Sequence, residues 1–264
     1  MTTRPNPLPA LYRWRTNLVQ APAYALITMV CGTISLLISL FDRRGNLQHR
    51  IARIWAQVGV WVSGSTLTVH GAENLLKYPA AVYASNHTSY MDTPVIFASI
   101  PLQFRILAKK ELWPIPFIGW YLNRSGQIPI DTANPRASLS SLGVAAKALR
   151  AGTPLFVFPE GGRTSDGQLK PFLSGAAYLA IRAQVPLVPI ALSGVYDLLP
   201  IHAHHFYPCK LTLSVGEPIL TTGMTIRQTD DLTAQLRTAI ESMQYPETST
   251  PSDSVEVETI QVKV

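Results

Sequence analysis

Three hydrophobic patterns follow one another along the chain. The first is a continuous apolar run, Ala23–Phe41 (AYALITMVCGTISLLISLF), inside a stretch from Thr16 to Phe41 that holds no charged residue. As a helix this run reaches about 28 Å, close to the hydrocarbon thickness of a bilayer. It is long for a signal peptide, and Arg43 and Arg44 follow it in place of a small-residue cleavage site, so it predicts a retained membrane anchor. The second pattern lies in Gln48–Ser63, where Ile51, Ile54, Trp55, Val58 and Val62 recur at helical spacing, with Arg50, Arg53 and Gln57 off the stripe. It predicts an amphipathic interfacial helix with Trp55 and Trp61 at headgroup level. Arg4, Arg13 and Arg15 stand on one side of the apolar run and Arg43, Arg44, Arg50 and Arg53 on the other. The basic count therefore leaves two arrangements open: a single span, or a helix dipping into one leaflet that keeps both flanks, and the rest of the chain, on the cytoplasmic face.

After Gly64 the pattern changes to short β-branched apolar runs. Strands are predicted at Thr66–His70, Ala81–Ala84, Ile106–Ala108, Gln127–Ile130, Leu155–Phe158, Leu187–Leu192 and Leu211–Val215. Several are apolar at every position, as expected when both faces of a sheet are covered. Helices are predicted at Ser138–Arg150, with a Leu139, Leu142, Ala146, Leu149 stripe closed by Gly152, at Ser174–Ala183 and at Asp230–Met243. The alternation predicts an α/β class: a largely parallel sheet flanked by helices, preceded by an N-terminal helical membrane anchor. The expected division is residues 1–63 as anchor, 64–243 as the main domain and 244–264 as a tail. The tail is rich in Ser, Thr, Pro and Glu and reads as disordered, with Val255–Val264 as a weak candidate edge strand.

Composition sharpens this division. Charged residues make up only 14% of the 264, against roughly 25% in an ordinary soluble domain. The net charge of +6 resides entirely in residues 1–53, which hold seven basic groups and one acid; the remainder is neutral. Basic charge wrapped around an apolar run suits anionic lipid headgroups, and no nucleic-acid partner is expected. Cys31 and Cys209 form no disulfide framework and read as reduced. The chain has no Walker A, GxGxxG, HExxH, CxxC or GxSxG pattern, and no metal is expected at His202, His204 and His205, which lack acidic or thiol companions.

Two polar clusters each follow a predicted strand, where open α/β sheets bind ligands. In Asn86-His87-Thr88-Ser89-Tyr90-Met91-Asp92, a regular helix would set His87 and Asp92 about 140° apart, so they pair only across an irregular strand-to-helix turn. There Asp92 would fix the imidazole tautomer and leave the other nitrogen to take a proton. In Phe158-Pro159-Glu160-Gly161-Gly162-Arg163-Thr164-Ser165, the glycines allow close backbone approach and Arg163 offers a fork matched to phosphate. Glu160 would orient Arg163 or bond a substrate hydroxyl. Lys109 is a second phosphate candidate, and the aromatic stretch Trp113–Tyr121 would line an acyl chain or touch membrane.

Together these residues resemble the glycerolipid acyltransferase family typified by 1-acyl-sn-glycerol-3-phosphate acyltransferases. The resemblance rests on Asn-His-x4-Asp at Asn86–Asp92 and on the Phe158–Ser165 loop. It extends to Lys109, Glu111, Leu112, Pro116, Gly119 and Trp120, and to Val185–Ile190. It implies a glycerolipid acyltransferase-like fold with His87 and Asp92 catalytic, and Arg163, Lys109, Glu160 and Gly161 holding the substrate phosphate. The implied donor is acyl-CoA or acyl-carrier protein, with no separate cofactor, and the implied acceptor is lysophosphatidic acid. Gly162 stands where the family usually has Thr, and Thr132 where it usually has Arg. These departures keep another lysophospholipid or an acylated amino-acid lipid open as acceptor. A non-catalytic lipid-binding protein is the remaining alternative, opposed by the intact His87 and Asp92.

Overall fold

The computed structural model describes residues 10–42, 44–78, 80–131, 133–244 and 260–261. The apolar N-terminal run is one long rod: α1 (Ala10–Arg15), a π-helical turn (Thr16–Gln20) and α2 (Ala21–Ile38) follow without a break. Its most apolar 18-residue window has a mean hydropathy of 1.9 and is only 11% buried. The rod is held where its few polar residues meet protein. The Gln20 side-chain amide donates to the Val62 and Ser63 carbonyls at 2.8 and 3.0 Å, groups that a helix C-terminus leaves without partners. Those carbonyls end α3 (Asn46–Ser63), which returns antiparallel along α2.

α3 is buried through its small residues, and the stripe predicted to face the interface is half-buried, with Ile54 exposed. Ala52, Ala56, Gly59, Val60 and Ser63 are buried, while Ile54 and Trp61 are 49% and 65% exposed. The small residues win because α3 is wedged between α2 and α5 (Asp92–Ser99), where helix backbones approach closely. At Gly59 a Cβ would come within 2.7 Å of the Tyr24 ring. Trp55 is therefore no headgroup anchor: its Nε1–H donates to Thr28 Oγ1 at 2.9 Å and its ring meets Tyr24 edge-on, stapling α2 to α3. Trp61 does face outward.

The remaining strands are β1 (Thr66–His70), β2 (Val82–Ser85), β3 (Arg105–Lys109), β4 (Ile128–Ile130), β5 (Leu155–Val157), β6 (Leu187–Ser193) and β7 (Lys210–Val215). All seven predicted strands are present, β1 with its predicted bounds and the others shifted by one residue at one or both ends. Ile260–Gln261 adds β8, a short edge strand within the stretch predicted as one; of the rest of the predicted tail, Gln244 ends the last helix and the other residues lie outside the described ones. The sheet order is β4-β3-β5-β2-β6-β7-β1-β8. Pairing is parallel except at β6/β7 and β1/β8, so the largely parallel sheet is confirmed.

Both faces are covered. On one, α3, α5 and the short α9 (Val195–Leu198) pack with Tyr83, Phe97, Phe104 and Phe156. On the other lie α7 (Pro135–Arg150), α8 (Gly175–Ala183) and α10 (Thr229–Gln244), burying Leu149, Leu179, Leu232, Leu236 and Ile240. α7 starts at Pro135, three residues before its predicted beginning, because the Asn134 side chain caps it by accepting from Arg136 and Ala137 N–H. Leu139, predicted for its buried stripe, is 61% exposed. The connections α4 (Ala72–Lys77) and α6 (Ile118–Arg124) are short helices without a readable stripe. For the site, one fact matters most: β3, β5 and β2 are neighbours and parallel, so the segments leaving their carboxyl ends emerge side by side.

Candidate active site

The segment after β2 does not enter a helix at once. Residues 86–91 form an irregular turn and α5 opens with Asp92. The turn folds around the Asp92 carboxylate. Its Oδ2 accepts from His87 Nδ1 at 2.7 Å, Thr88 N–H at 2.6 Å and Ser89 N–H at 2.8 Å, and the residue is fully buried. Ser89 Oγ in turn accepts from Met91 N–H and donates to the Leu199 carbonyl, tying the turn to α9's exit. A carboxylate at the first residue of a helix also faces the positive end of the helix dipole.

With Nδ1–H donating to Asp92, the neutral His87 ring presents an unprotonated Nε2. The ring is stacked on Phe158, 3.9 Å between centroids and 17° between planes. Burial holds its pKa below the ordinary histidine value, Asp92 pulls the other way, and the positive charges of Arg163 and Lys109 push it lower. The result is a neutral imidazole oriented by a carboxylate, with Nε2 unpaired among the described residues.

Asn86 takes no part in that pair. Its side chain donates to Leu192 O at 2.9 Å and accepts from Leu192 N–H at 2.8 Å, clamping the end of β2 to β6.

The second cluster leaves β5 and closes over the first. Arg163 Nε donates to Ser89 O at 3.0 Å and its guanidinium lies 4.3 Å over the Tyr90 ring. Its two terminal nitrogens have no partner among the described residues, so a bidentate fork remains available for an anion. Lys109, the last residue of β3, reaches the same place: a Cβ on Gly162 would lie 3.4 Å from its Nζ. His87, Asp92, Arg163 and Lys109 are thus brought together.

Two expectations change. Glu160 does not contact an anion site; both its oxygens are used, Oε1 accepting from His87 N–H at 2.7 Å and Oε2 from Lys170 N–H at 3.0 Å. A carboxylate offers phosphate no donor, so Glu160 braces the two loops against each other. Burial pushes its pKa up to about 7. Gly161 is a turn residue: its φ is +67°, its N–H closes a turn on Phe158 O at 3.1 Å, and a Cβ would meet Leu173 at 2.9 Å. Its donor is spent inside the protein.

Lys170 was not singled out from sequence. Its Nζ donates to the Arg163 carbonyl and its own carbonyl accepts from Arg237 at 2.9 Å, so it fixes the loop that carries Arg163. Nothing in its local sequence marks it. Thr132, the second departure from the family pattern, lies outside the described residues.

A family model described as Acyltransferase matches residues 66–193, which contain every residue of this site except the outer brace Arg237 and the Leu199 carbonyl. A chloroplastic 1-acyl-sn-glycerol-3-phosphate acyltransferase of Brassica napus is 34% identical over 66% of this chain and 50% of its own length. The corresponding protein of Limnanthes douglasii is 31% identical over 79% of this chain and 75% of its own. The chain spans about half the length of the chloroplastic relatives of Brassica and Arabidopsis thaliana. A crystal structure of the 1-acyl-sn-glycerophosphate (LPA) acyltransferase from Thermotoga maritima superposes with a TM-score of 0.70, covering 89% of this chain and all of that one at 23% identity, and so shares its fold. With four ordered motifs, a common fold and a relative, that of Limnanthes douglasii, matched over three quarters of its length, this chain belongs to the 1-acyl-sn-glycerol-3-phosphate acyltransferase family.

Proposed function

We propose that the protein transfers a fatty acyl group from a thioester, acyl-CoA or acyl-carrier protein, to the free hydroxyl of lysophosphatidic acid, yielding phosphatidic acid. The observation that carries this reading is the oriented, neutral His87 with Arg163 and Lys109 beside it. The two cations hold the acceptor phosphate and so present its hydroxyl to His87 Nε2. As the hydroxyl oxygen attacks the thioester carbonyl, Nε2 takes its proton and Asp92 stabilises the imidazolium. The C–O bond forms, the C–S bond breaks, and the imidazolium returns its proton to the departing thiolate. Activation comes from the thioester itself, so the scheme calls for no further cofactor.

The anchor reading follows from how α2 is fastened. Its N-terminal side is held by Gln20 on the end of α3. Beyond its C-terminal end, the Arg44 carbonyl accepts from Gln103 and Arg105, just before and at the start of β3. A helix strapped at both ends to the domain lies along it, which supports a one-leaflet anchor. Both basic flanks then face the cytoplasm with the catalytic domain.

A second reading keeps the chemistry and changes the acceptor. Gly162, beside Lys109 Nζ, leaves the space a Thr side chain would fill, room for a headgroup larger than a phosphate monoester. One experiment separates the two: a labelled acyl thioester is offered with a panel of lysolipids in vesicles. We expect label in phosphatidic acid, lost in His87→Ala. Label in another phospholipid selects the second reading, and no transfer to any acceptor refutes both.

A further inference from the structure

The segment joining β3 to α6, together with the first turn of α6, is not used by the chemistry above, yet it exposes an apolar patch. Leu112, Ile115, Phe117, Ile118 and Trp120 are between 36% and 50% exposed. A soluble domain seldom leaves such a cluster in water without a partner for it.

The segment is tightly wound. Trp113 N–H bonds to Lys110 O, Ile115 N–H to Leu112 O, and Gly119 N–H to Ile115 O at 2.7 Å. A Cβ at Gly119 would collide with Trp113 O at 1.8 Å, so only glycine permits this path. It is also strained. Phe117 has φ +62° and ψ −51°, with Ile118 N–H bonded to Pro116 O at 2.7 Å. That is the γ-turn of the rarer, strained hand. The turn directs the Phe117 ring onto α2, where a Cβ at Gly32 would lie 3.6 Å from it. Leu112–Trp120 therefore lies against α2, which itself exposes Leu26, Met29, Val30 and Leu37. Its neighbours in the chain are Lys109, Lys110 and Arg124, with Glu111 as the one acid among them; Lys110 pairs with Asp131.

We propose that Leu112–Trp120 is a second bilayer-inserting element, docked on an anionic lipid surface, that holds Lys109 at the depth of the phospholipid phosphates. Contact with α2 and the basic flank favour a lipid surface over a protein partner. Lys109 lies three residues before Leu112 on a rigid strand end, so insertion of the patch sets the level of one of the two phosphate-holding cations. The proposal rests on α2 being the anchor.

Two single-cysteine proteins in a Cys31→Ser/Cys209→Ser background test it. One carries an environment-sensitive dye at Ile118→Cys, the other at Leu37→Cys on α2. Each is mixed with vesicles of phosphatidylethanolamine and phosphatidylglycerol, with and without brominated acyl chains. We expect a blue shift and bromine quenching at both positions. A response at Leu37→Cys alone overturns the proposal and leaves the anchor standing. No response at either overturns both. A blue shift at Ile118→Cys on adding acyl thioester without vesicles makes the patch an acyl-chain site and also overturns it. In a second measurement, Ile115→Ser/Ile118→Ser should raise KM for vesicle-borne lysophosphatidic acid about tenfold through lost apolar transfer. KM for a short-chain, water-soluble acceptor should stay unchanged. An equal rise for both acceptors places the residues in the substrate pocket instead.

Discussion

The turn at His87–Asp92 and the outer face of α2 invert the usual distribution of residues in opposite senses. In the turn, Asn86, His87, Thr88, Ser89 and Asp92 are polar and buried; on α2, Leu26, Met29, Val30, Ile34 and Leu37 are apolar and 40–60% exposed. Burying polar groups is costly unless their hydrogen bonds are made inside; the turn makes most of them, with three donors on Asp92 Oδ2, while Asp92 Oδ1 is buried without a partner among the described residues. Exposing apolar side chains is costly in water and favourable in lipid. The polar groups of the first region are thus largely satisfied inside the protein, whereas the apolar face of the second suits a bilayer better than water. The first offers preorganised polar groups to the proposed chemistry, and the second, as the proposed anchor, would set where that chemistry happens.

The sharpest test separates the two regions. His87→Ala should lower kcat by about 10²–10⁴, the usual worth of a general base, with vesicle flotation unchanged. A loss of flotation would mean the turn also shapes the anchor. The converse change, Leu26→Asp/Met29→Asp, should weaken vesicle binding by about 10⁴-fold, since each carboxylate disfavours the hydrocarbon by a few kcal/mol. Turnover of a water-soluble acceptor should survive, and its disappearance would show that the regions are not independent.

His49 sharpens the comparison at their seam. It lies on α3, buried between Phe97 and Phe104, and burial followed by the nearby Arg53 lowers its pKa from 6.5 to about 4. The folded state therefore disfavours the charged ring. The neutral ring's contribution to stability is fully present above about pH 6.5 and is lost as pH falls toward 4. At full protonation the loss is about 3 kcal/mol. In His49→Leu the drop in Tm between pH 7 and pH 4.5 should shrink; an undiminished drop would assign the acid lability elsewhere.

The smallest effect concerns the cations around His87. Lys109 lowers the pKa of His87, so Lys109→Met should raise it. Protonation then removes the base at higher pH, and the acid limb of the kcat/KM profile moves up. A limb that moves down or stays would place Lys109 outside the electrostatic reach of the imidazole.

Much of this was legible beforehand, for identifiable reasons. Several strands after Gly64 are apolar at every position because helices cover both faces, so their pattern survives without knowledge of pairing. His87, Asp92, Arg163 and Lys109 carry chemistry in the residue type itself. What failed was detail that depends on a neighbour. The buried face of α3 is its small-residue face because two helices press on it, and Trp55 is a staple because Thr28 happens to face it. Glu160 and Gly161 read as phosphate contacts, yet their polar groups are spent on His87, Lys170 and Phe158 backbone atoms.

From the sequence alone come the two kinds of object in the chain, a basic apolar anchor and a neutral α/β domain, together with the residues able to act as base, orienter and anion holder. Composition and periodicity suffice for that, because burial and membrane partition sum over many residues. Only the tertiary structure decides that the candidates meet. His87 and Arg163 are 76 positions apart in the chain, and they converge because β3, β5 and β2 lie adjacent and parallel and deliver their ends to one edge. Strand order reflects which surfaces pack together over long loops, and no local stretch of sequence contains that choice.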